Sequence, residues 1–250
     1  SCWQLNQPAP PLERRRVLVQ RHQLRQLENY AYQDDSWLTM KPILVSIVAA
    51  VLLLGFALEL NAKEKSTNFV IFLTDDLGWG DLGVQGHPLI KTPNLDQFAK
   101  EGVRLTQCYA ACGVCSPSRS SILTGRTPYR NGVWRWIPGG HQTHLRESEI
   151  TLPELLKEKG YDTCHVGKWH LNGQFNLPTH PQPSDHGFQH WFSTQNNALP
   201  THHNPRNFVR NGIPVGTLRG YSAGLVADEA IRWLRGRDPA RPFFLYVCFH

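Results

Sequence analysis

Methionine is almost absent from these 250 residues, and the one present is Met40 rather than the first residue. Charge is sparse as well. Only 18% of residues are Asp, Glu, Lys or Arg, and 40% are hydrophobic, a balance that excludes a disordered chain and suits a packed core. The net charge is +6, but Lys and Arg are scattered from Lys63 onward without a basic run, which gives no stripe for nucleic acid. Six cysteines are too few for a disulfide-dense scaffold. There is no internal repeat, no low-complexity tract and no H-E-x-x-H zinc spacing, although seven of the twelve histidines fall between His165 and His203.

One long apolar run exists. Met40-Lys41-Pro42 is followed by sixteen residues, 43–58, without a charge, then by Glu59 and Leu60-Asn61-Ala62. A cationic start, an apolar stretch and a small residue before a polar region describe a secretory signal peptide over residues 40–62. Sixteen residues fall short of the roughly 20 that span a bilayer. An anchor at 43–58 stays open, because Arg14, Arg15 and Arg16 precede it and favour a cytoplasmic N-terminus. On this reading residues 1–39 are an upstream extension of unassigned role, and the chain from Lys63 onward is exported.

From Asn68 on, strand and helix signals alternate. Phe69 to Leu73 is a continuous apolar run that predicts a buried parallel strand. Thr92-Pro93 opens a helix that Gly102 stops, and Val103 to Tyr109 reads as a further strand holding Cys108 as a small buried hydrophobe. Ser116-Pro117 opens a helix ended near Gly125, and Thr151 to Gly160 forms another. Tyr161 to Val166 predicts a strand, Ser222 to Leu234 an amphipathic helix, and Phe243 to Phe249 a last buried strand. Residues 172–220, rich in Pro, Asn, His and Gly, read as an irregular excursion of the kind that shapes a binding site. The expected fold is α/β, a mostly parallel sheet with helices on both faces.

In such sheets, reactive groups gather at the carboxyl ends of the strands, and three segments stand there. Asp75-Asp76 places two carboxylates directly after a strand, where a hard divalent cation, Ca²⁺ or less suitably Mg²⁺, compensates their repulsion. A solvated turn is the alternative. Cys115 opens a helix, where free N–H groups favour an anion and lower a thiol's pKa, with Arg119 on the first turn to pair with the same anion. Gly167-Lys168-Trp169-His170 sets a cation and a proton carrier two residues apart, a pairing that suits anion binding and proton transfer; ordinary surface polarity is the plainer reading. The spacing Cys108-x3-Cys112-x2-Cys115 also permits a redox or iron–sulfur centre, and Cys112 fits a disulfide or an idle thiol equally.

These segments resemble one family. Cys115-Ser116-Pro117-Ser118-Arg119 with Leu123-Thr124-Gly125-Arg126 is similar to the C-x-P-S-R…L-T-G-R signature of the type I sulfatases, which share an alkaline-phosphatase-like fold. The stretch from Asn68 through Asp75-Asp76 resembles their opening strand and metal-binding pair, and Gly167 to His170 resembles their G-K-W-H. The resemblance covers residues 68–250 and implies an arylsulfatase-like hydrolase of sulfate monoesters. It implies that a formylglycine-generating enzyme, reading Ser116, Pro117 and Arg119, converts Cys115 to an aldehyde. The hydrated aldehyde is a gem-diol: one hydroxyl attacks sulfur, and the other then expels sulfate.

The resemblance further implies that Asp75, Asp76 and residue 115 ligate Ca²⁺, that Arg119 neutralises charge, that Lys168 binds the sulfate, and that His170 assists proton transfer. The substrate would be a sulfated small molecule or a sulfated glycan. A further catalytic His after the last strand, an Asp-Asn pair and a second Lys of the family have no match here; His250 resembles the His's upstream neighbour, and Gly187-Phe188-Gln189 stands where the family has G-F-D. Residues 63–250 therefore resemble the N-terminal part of the catalytic domain, incomplete at its C-terminus. Related enzymes acting on phosphonate or phosphate esters, and relatives that bind sulfated ligands without turnover, are the alternatives.

Overall fold

The computed structural model describes residues 66–250. The expected leader at 40–62 and the extension at 1–39 lie outside these residues. Six strands form one sheet: β1 (Phe69–Leu73), β2 (Asp162–Lys168), β3 (His190–Thr194), β4 (Val209–Arg210), β5 (Ile213–Pro214) and β6 (Phe243–Cys248). Their spatial order is β1-β6-β2-β3-β4-β5. The first four in that order run parallel, and β3-β4-β5 continue antiparallel. Five α-helices accompany them: α1 (Pro93–Glu101), α2 (Cys115–Thr124), α3 (Pro128–Asn131), α4 (Leu152–Glu158) and α5 (Ser222–Gly236).

The period of two in β6 explains the layering. Phe244, Tyr246 and Cys248 pack with Leu123 of α2, Leu152 and Leu156 of α4, Trp169 and Phe188 on one face. Phe243, Leu245 and Val247 face Val226 and Ala230 of α5 on the other. All six β6 residues are buried, as a strand covered on both faces must be. The sequence-based expectation of a mostly parallel α/β sheet with helices on both faces therefore holds, in an alkaline-phosphatase-like fold.

Three expectations are corrected. Residues 103–109 form no strand; Val103 is 87% and Leu105 71% exposed, and Cys108 is exposed rather than buried. Alternating apolar residues make a strand only where a neighbour supplies the ladder, and none pairs with this segment. β1 is a strand but not a buried one: it sits at the sheet edge, paired on one side only, with Phe72 67% exposed. Residues 172–220 are not wholly irregular, since they hold a 3-10 turn at Pro183–His186 and strands β3, β4 and β5. Among the described residues, no helix is long and apolar enough to cross a membrane.

The parallel strands end together, and two local features bring β2 to its neighbours there. Gly167 adopts φ +98 where a Cβ would overlap the Cys248 carbonyl, so only glycine lets β2 lie this close to β6. The chain then continues past β3 with hydrogen bonds from Trp169 N to Thr194 O (3.0 Å) and from His170 N to Gln195 O (2.7 Å). The carboxyl ends of β1, β2, β3 and β6 thus share one edge with the start of α2.

Candidate functional site

Cys115 is the first residue of α2, and Val114, its N-cap, offers no side-chain hydrogen bond. The helix therefore starts with uncapped N–H donors, a polarity that attracts an anion. α2 is polar yet mostly buried; Ser116, Pro117, Arg119, Ser120 and Ser121 all lie inside. Two of these serines are held by hydrogen bonds: Ile137 N donates to Ser116 Oγ (3.3 Å), Ser120 Oγ to Pro117 O (2.8 Å), and Asn131 Nδ2 to Ser120 Oγ (3.0 Å). Burying this helix in polar contacts fixes residue 115 against the sheet edge.

Three sequence segments converge on Asp75. Lys168 Nζ donates to its Oδ2 at 2.5 Å, Arg119 Nη2 lies 3.5 Å from its Oδ1, and the Cys115 thiol meets Oδ1 at 3.5 Å. Lys168 Nζ is also 3.4 Å from Cys115 Sγ. Arg119 Nη1 donates to the Lys168 carbonyl at 2.9 Å, tying α2 to the end of β2. Both cations are buried, at 2% exposure each, where electrostatic interactions are stronger than in water. Burial pushes the Asp75 carboxyl upward, but the hydrogen bond and charge of Lys168 and the charge of Arg119 outweigh it and hold it below its usual range. Burial likewise opposes the charge of Arg119, yet Cys248, Tyr246 and Asp75 around the guanidinium hold its pKa above the ordinary value.

Asp76 is exposed and turned into the left-handed region at φ 52. One carboxylate oxygen each from Asp75 and Asp76 and the Cys115 sulfur lie within 4.8 Å of one another, the one such group of potential metal ligands among the described residues. Two adjacent carboxylates fit a hard divalent cation, whereas a thiol sulfur fits it poorly and an oxygen at position 115 would fit it well. Cys108 and Cys112 join no such group, and all five described cysteines are free, which leaves the sulfur-cluster alternative without support. The cavity in front of this group holds about 210 Å³ and is lined by Asp75, Asp76, Cys112, Cys115, Ser118 and Arg119, a space suited to a small anionic group.

His170 is fully buried at φ 57, a conformation that costs a non-glycine residue energy and is retained mainly where surrounding structure enforces it. Its Nε2 donates to Ile137 O at 3.0 Å, and its Nδ1 has no partner. Burial, then the neighbouring Lys168 charge, lower its pKa to about 4, so the ring is neutral near pH 7 with a free acceptor at Nδ1. The intervening Trp169 points the other way, into the core, at 1% exposure.

Asp75, Asp76, Cys115, Arg119, Lys168 and His170, all singled out from the sequence, thus lie at one sheet edge, with Asp75, Cys115, Arg119 and Lys168 in mutual contact. Sequence reasoning missed the residues around them. Thr194 at the end of β3 hydrogen-bonds His250 Nε2 (2.8 Å), and Gln195 Nε2 reaches Asn172 O (2.9 Å). Tyr246 and Cys248 of β6 lie beneath Arg119. The signal for β3 was present in Trp191-Phe192-Ser193-Thr194, an aromatic and β-branched run between Gly187 and Asn196.

Comparison with known proteins places this arrangement. A family model described as Sulfatase matches residues 67–250. The chain is 36% identical over 239 residues to N-acetylgalactosamine-6-sulfatase of Canis lupus familiaris, covering 83% of this chain and 44% of that protein. Among solved structures, it resembles Ps i-CgsB in complex with k-i-k-neocarrahexaose at a TM-score of 0.65 and 27% identity, covering 74% of this chain and 45% of that one. BT4656 in complex with its substrate D-glucosamine-2-N,6-O-disulfate gives 0.61 and 31%, covering 74% and 34%. The chain spans less than half the length of these relatives. Motifs, fold and relatives agree: the chain belongs to the sulfatase family.

Proposed function

We propose that the protein hydrolyses sulfate monoesters at the Asp75–Cys115–Arg119–Lys168 cluster, with residue 115 as formylglycine. The observation that supports this most is the convergence of a potential nucleophile, two buried cations and an acidic pair from three separate segments. Two buried cations at one point suit an anionic ester. Arg119 and Lys168 together balance the charges of Asp75 and Asp76, so any cation bound at the acidic pair leaves the site net positive and attractive to a sulfate group.

Asp75, Asp76 and the oxygen of a modified residue 115 would hold Ca²⁺, with Mg²⁺ the less suited ion, supplying positive charge that stabilises the sulfate oxygens. The hydrated aldehyde would supply one hydroxyl to attack sulfur and a second to expel sulfate, splitting one difficult displacement into two steps. In this mechanism Lys168 and Arg119 bind and orient the anion. Neutral His170, with its free Nδ1 acceptor, would assist proton transfer at the diol. Ser116, Pro117 and Arg119 are buried in the folded protein, so a formylglycine-generating enzyme that reads them meets them before folding. An exported protein carrying a sulfated-glycan or sulfated small-molecule hydrolase activity fits the leader expected at 40–62.

Release of the alcohol from an aryl sulfate by the full-length protein, co-expressed with the modifying enzyme, tests the reading. Turnover should disappear in Cys115→Ala; turnover that survives this substitution would overturn it.

A further inference from the structure

We propose that Trp134, Arg135 and Trp136 form a saccharide-binding platform at the rim of the site, which takes the sugar ring of a sulfated glycan. The inference deepens the sulfate-ester reading and rests on it for the position of the ester group.

The segment from Val133 to Ile137 reads V-W-R-W-I, and its two ends are fully buried. Between them Trp134 is 56% and Trp136 44% exposed, and Arg135 is exposed too. Two tryptophans displayed on one short loop offer a large aromatic surface to a ligand. Nor is the loop loosely attached. Val133 N donates to Asn131 Oδ1 (3.0 Å), the residue whose Nδ2 holds Ser120 of α2. Ile137 N donates to Ser116 Oγ, one residue from Cys115, while the Ile137 carbonyl accepts from His170 Nε2 (3.0 Å) and Gln195 Nε2 (3.4 Å). Gly140 N closes the far end on Gly173 O at 2.7 Å. The backbone between the two tryptophans and the reactive residues is therefore continuous and pinned on both sides.

Trp136 extends the site directly. Its ring meets the His170 ring edge-on, with centroids 5.5 Å apart and an 81° angle between planes. The Arg135 guanidinium lies 5.1 Å from the centre of the Trp134 ring, held there by cation–π attraction. A rigid aromatic face beside a fixed cation matches one ligand chemistry well: a pyranose ring, whose C–H face stacks on indole, bearing a further anionic substituent for the arginine. In a glycan sulfate ester the ring stands one or two bonds from the ester oxygen, and Trp136, through its contact with His170, sets the platform beside the reactive residues. A simple aryl sulfate has no second anion for Arg135 to meet.

The test uses the full-length protein co-expressed with the modifying enzyme, with a chondroitin-6-sulfate disaccharide and 4-nitrophenyl sulfate as probes. Trp134→Ala and Arg135→Ala, both at exposed positions, should lower kcat/KM for the disaccharide relative to the aryl sulfate by about tenfold, the scale of one lost stacking contact. Tyr129→Ala, an 86% exposed aromatic outside this loop, serves as the control and should leave the ratio unchanged. Disaccharide binding to Cys115→Ala protein, followed by calorimetry, should weaken on adding either substitution. An unchanged ratio and unchanged binding, with both substrates still hydrolysed, would overturn the platform and leave the hydrolase reading intact. Binding that depends on Trp134 without turnover of either substrate would support the platform and sink the hydrolase reading. Neither binding nor turnover would sink both.

Discussion

Replacing Gly167 by alanine should destabilise the protein and displace Lys168. The added methyl group would overlap the Cys248 carbonyl oxygen on the neighbouring strand, and the residue would have to keep φ +98. A positive φ costs an L-residue roughly 1–2 kcal/mol, and parting two packed strands costs roughly 1–3 kcal/mol more. The sum, about 2–5 kcal/mol, corresponds to a fall in melting temperature of roughly 5–20 °C for a domain of this size. Because Lys168 follows directly, and Arg119 donates to its carbonyl, a shift of about 1 Å should also lower kcat/KM by about a hundredfold. Gly224 in α5 is the internal comparison: nothing lies within 4 Å of its would-be Cβ and its φ is not positive. There alanine should stabilise the helix by roughly 0.5–1 kcal/mol. Thermal unfolding of both variants decides the matter. A Gly167→Ala protein that melts with the wild type would refute the argument that only glycine permits this strand approach.

Three further outcomes follow from the same geometry. Glu229 is 3% exposed and pairs with His190, Arg210 and Arg232, so Glu229→Ala should cost about 3 kcal/mol in urea unfolding, the low end of the range for broken buried pairs because its arginines are partly exposed. His165 is fully buried, and burial, then the charge of Arg119, lower its pKa to about 3. Its folded pKa lies below the unfolded 6.5, so the unfolded chain takes up the proton first; stability is complete above pH 6.5 and falls as pH drops, by about 2 kcal/mol near pH 5 from this group alone. An imidazole resonance of His165 that titrates near 6.5 in the folded protein would contradict this. Asp76 is exposed at the acidic pair, so Asp76→Asn should lower bound Ca²⁺, measured by elemental analysis after dialysis, while leaving the unfolding midpoint in chelator close to wild type.

What could be read from the sequence depended on how each residue's signal arises. The runs Phe69–Leu73 and Phe243–Cys248 announced themselves because a parallel strand covered on both faces needs apolar residues without interruption, and the groups at the strand ends followed from them. Burial is a different matter: β1 shows the same run as β6 but lies at the edge of the sheet, a fact of topology that the run itself cannot carry. Val103 and Leu105 alternate as a strand would, yet no neighbour pairs with them. The β3 strand went unread because Pro, Asn and His around it obscured five strand-forming residues. Within the site, Asp75, Cys115, Arg119, Lys168 and His170 were legible as motifs. The contacts beneath and beside them, Tyr246 and Cys248 under Arg119, and Ile137 between Ser116 and His170, join residues 20 to more than 100 positions apart and exist only in the folded chain. Trp134 and Trp136 carry no local sign of exposure; a V-W-R-W-I segment reads as core until its two ends are seen to take the buried places.

The central claim is that Cys115 does not act as a thiol. Mass spectrometry of the peptide spanning Cys115, from full-length protein co-expressed with a formylglycine-generating enzyme, tests it most directly. The account predicts a residue in which the sulfur has been replaced by an aldehyde oxygen, trapped by a hydrazide reagent. A peptide carrying only the unmodified thiol, in protein that still hydrolyses sulfate esters, would contradict it.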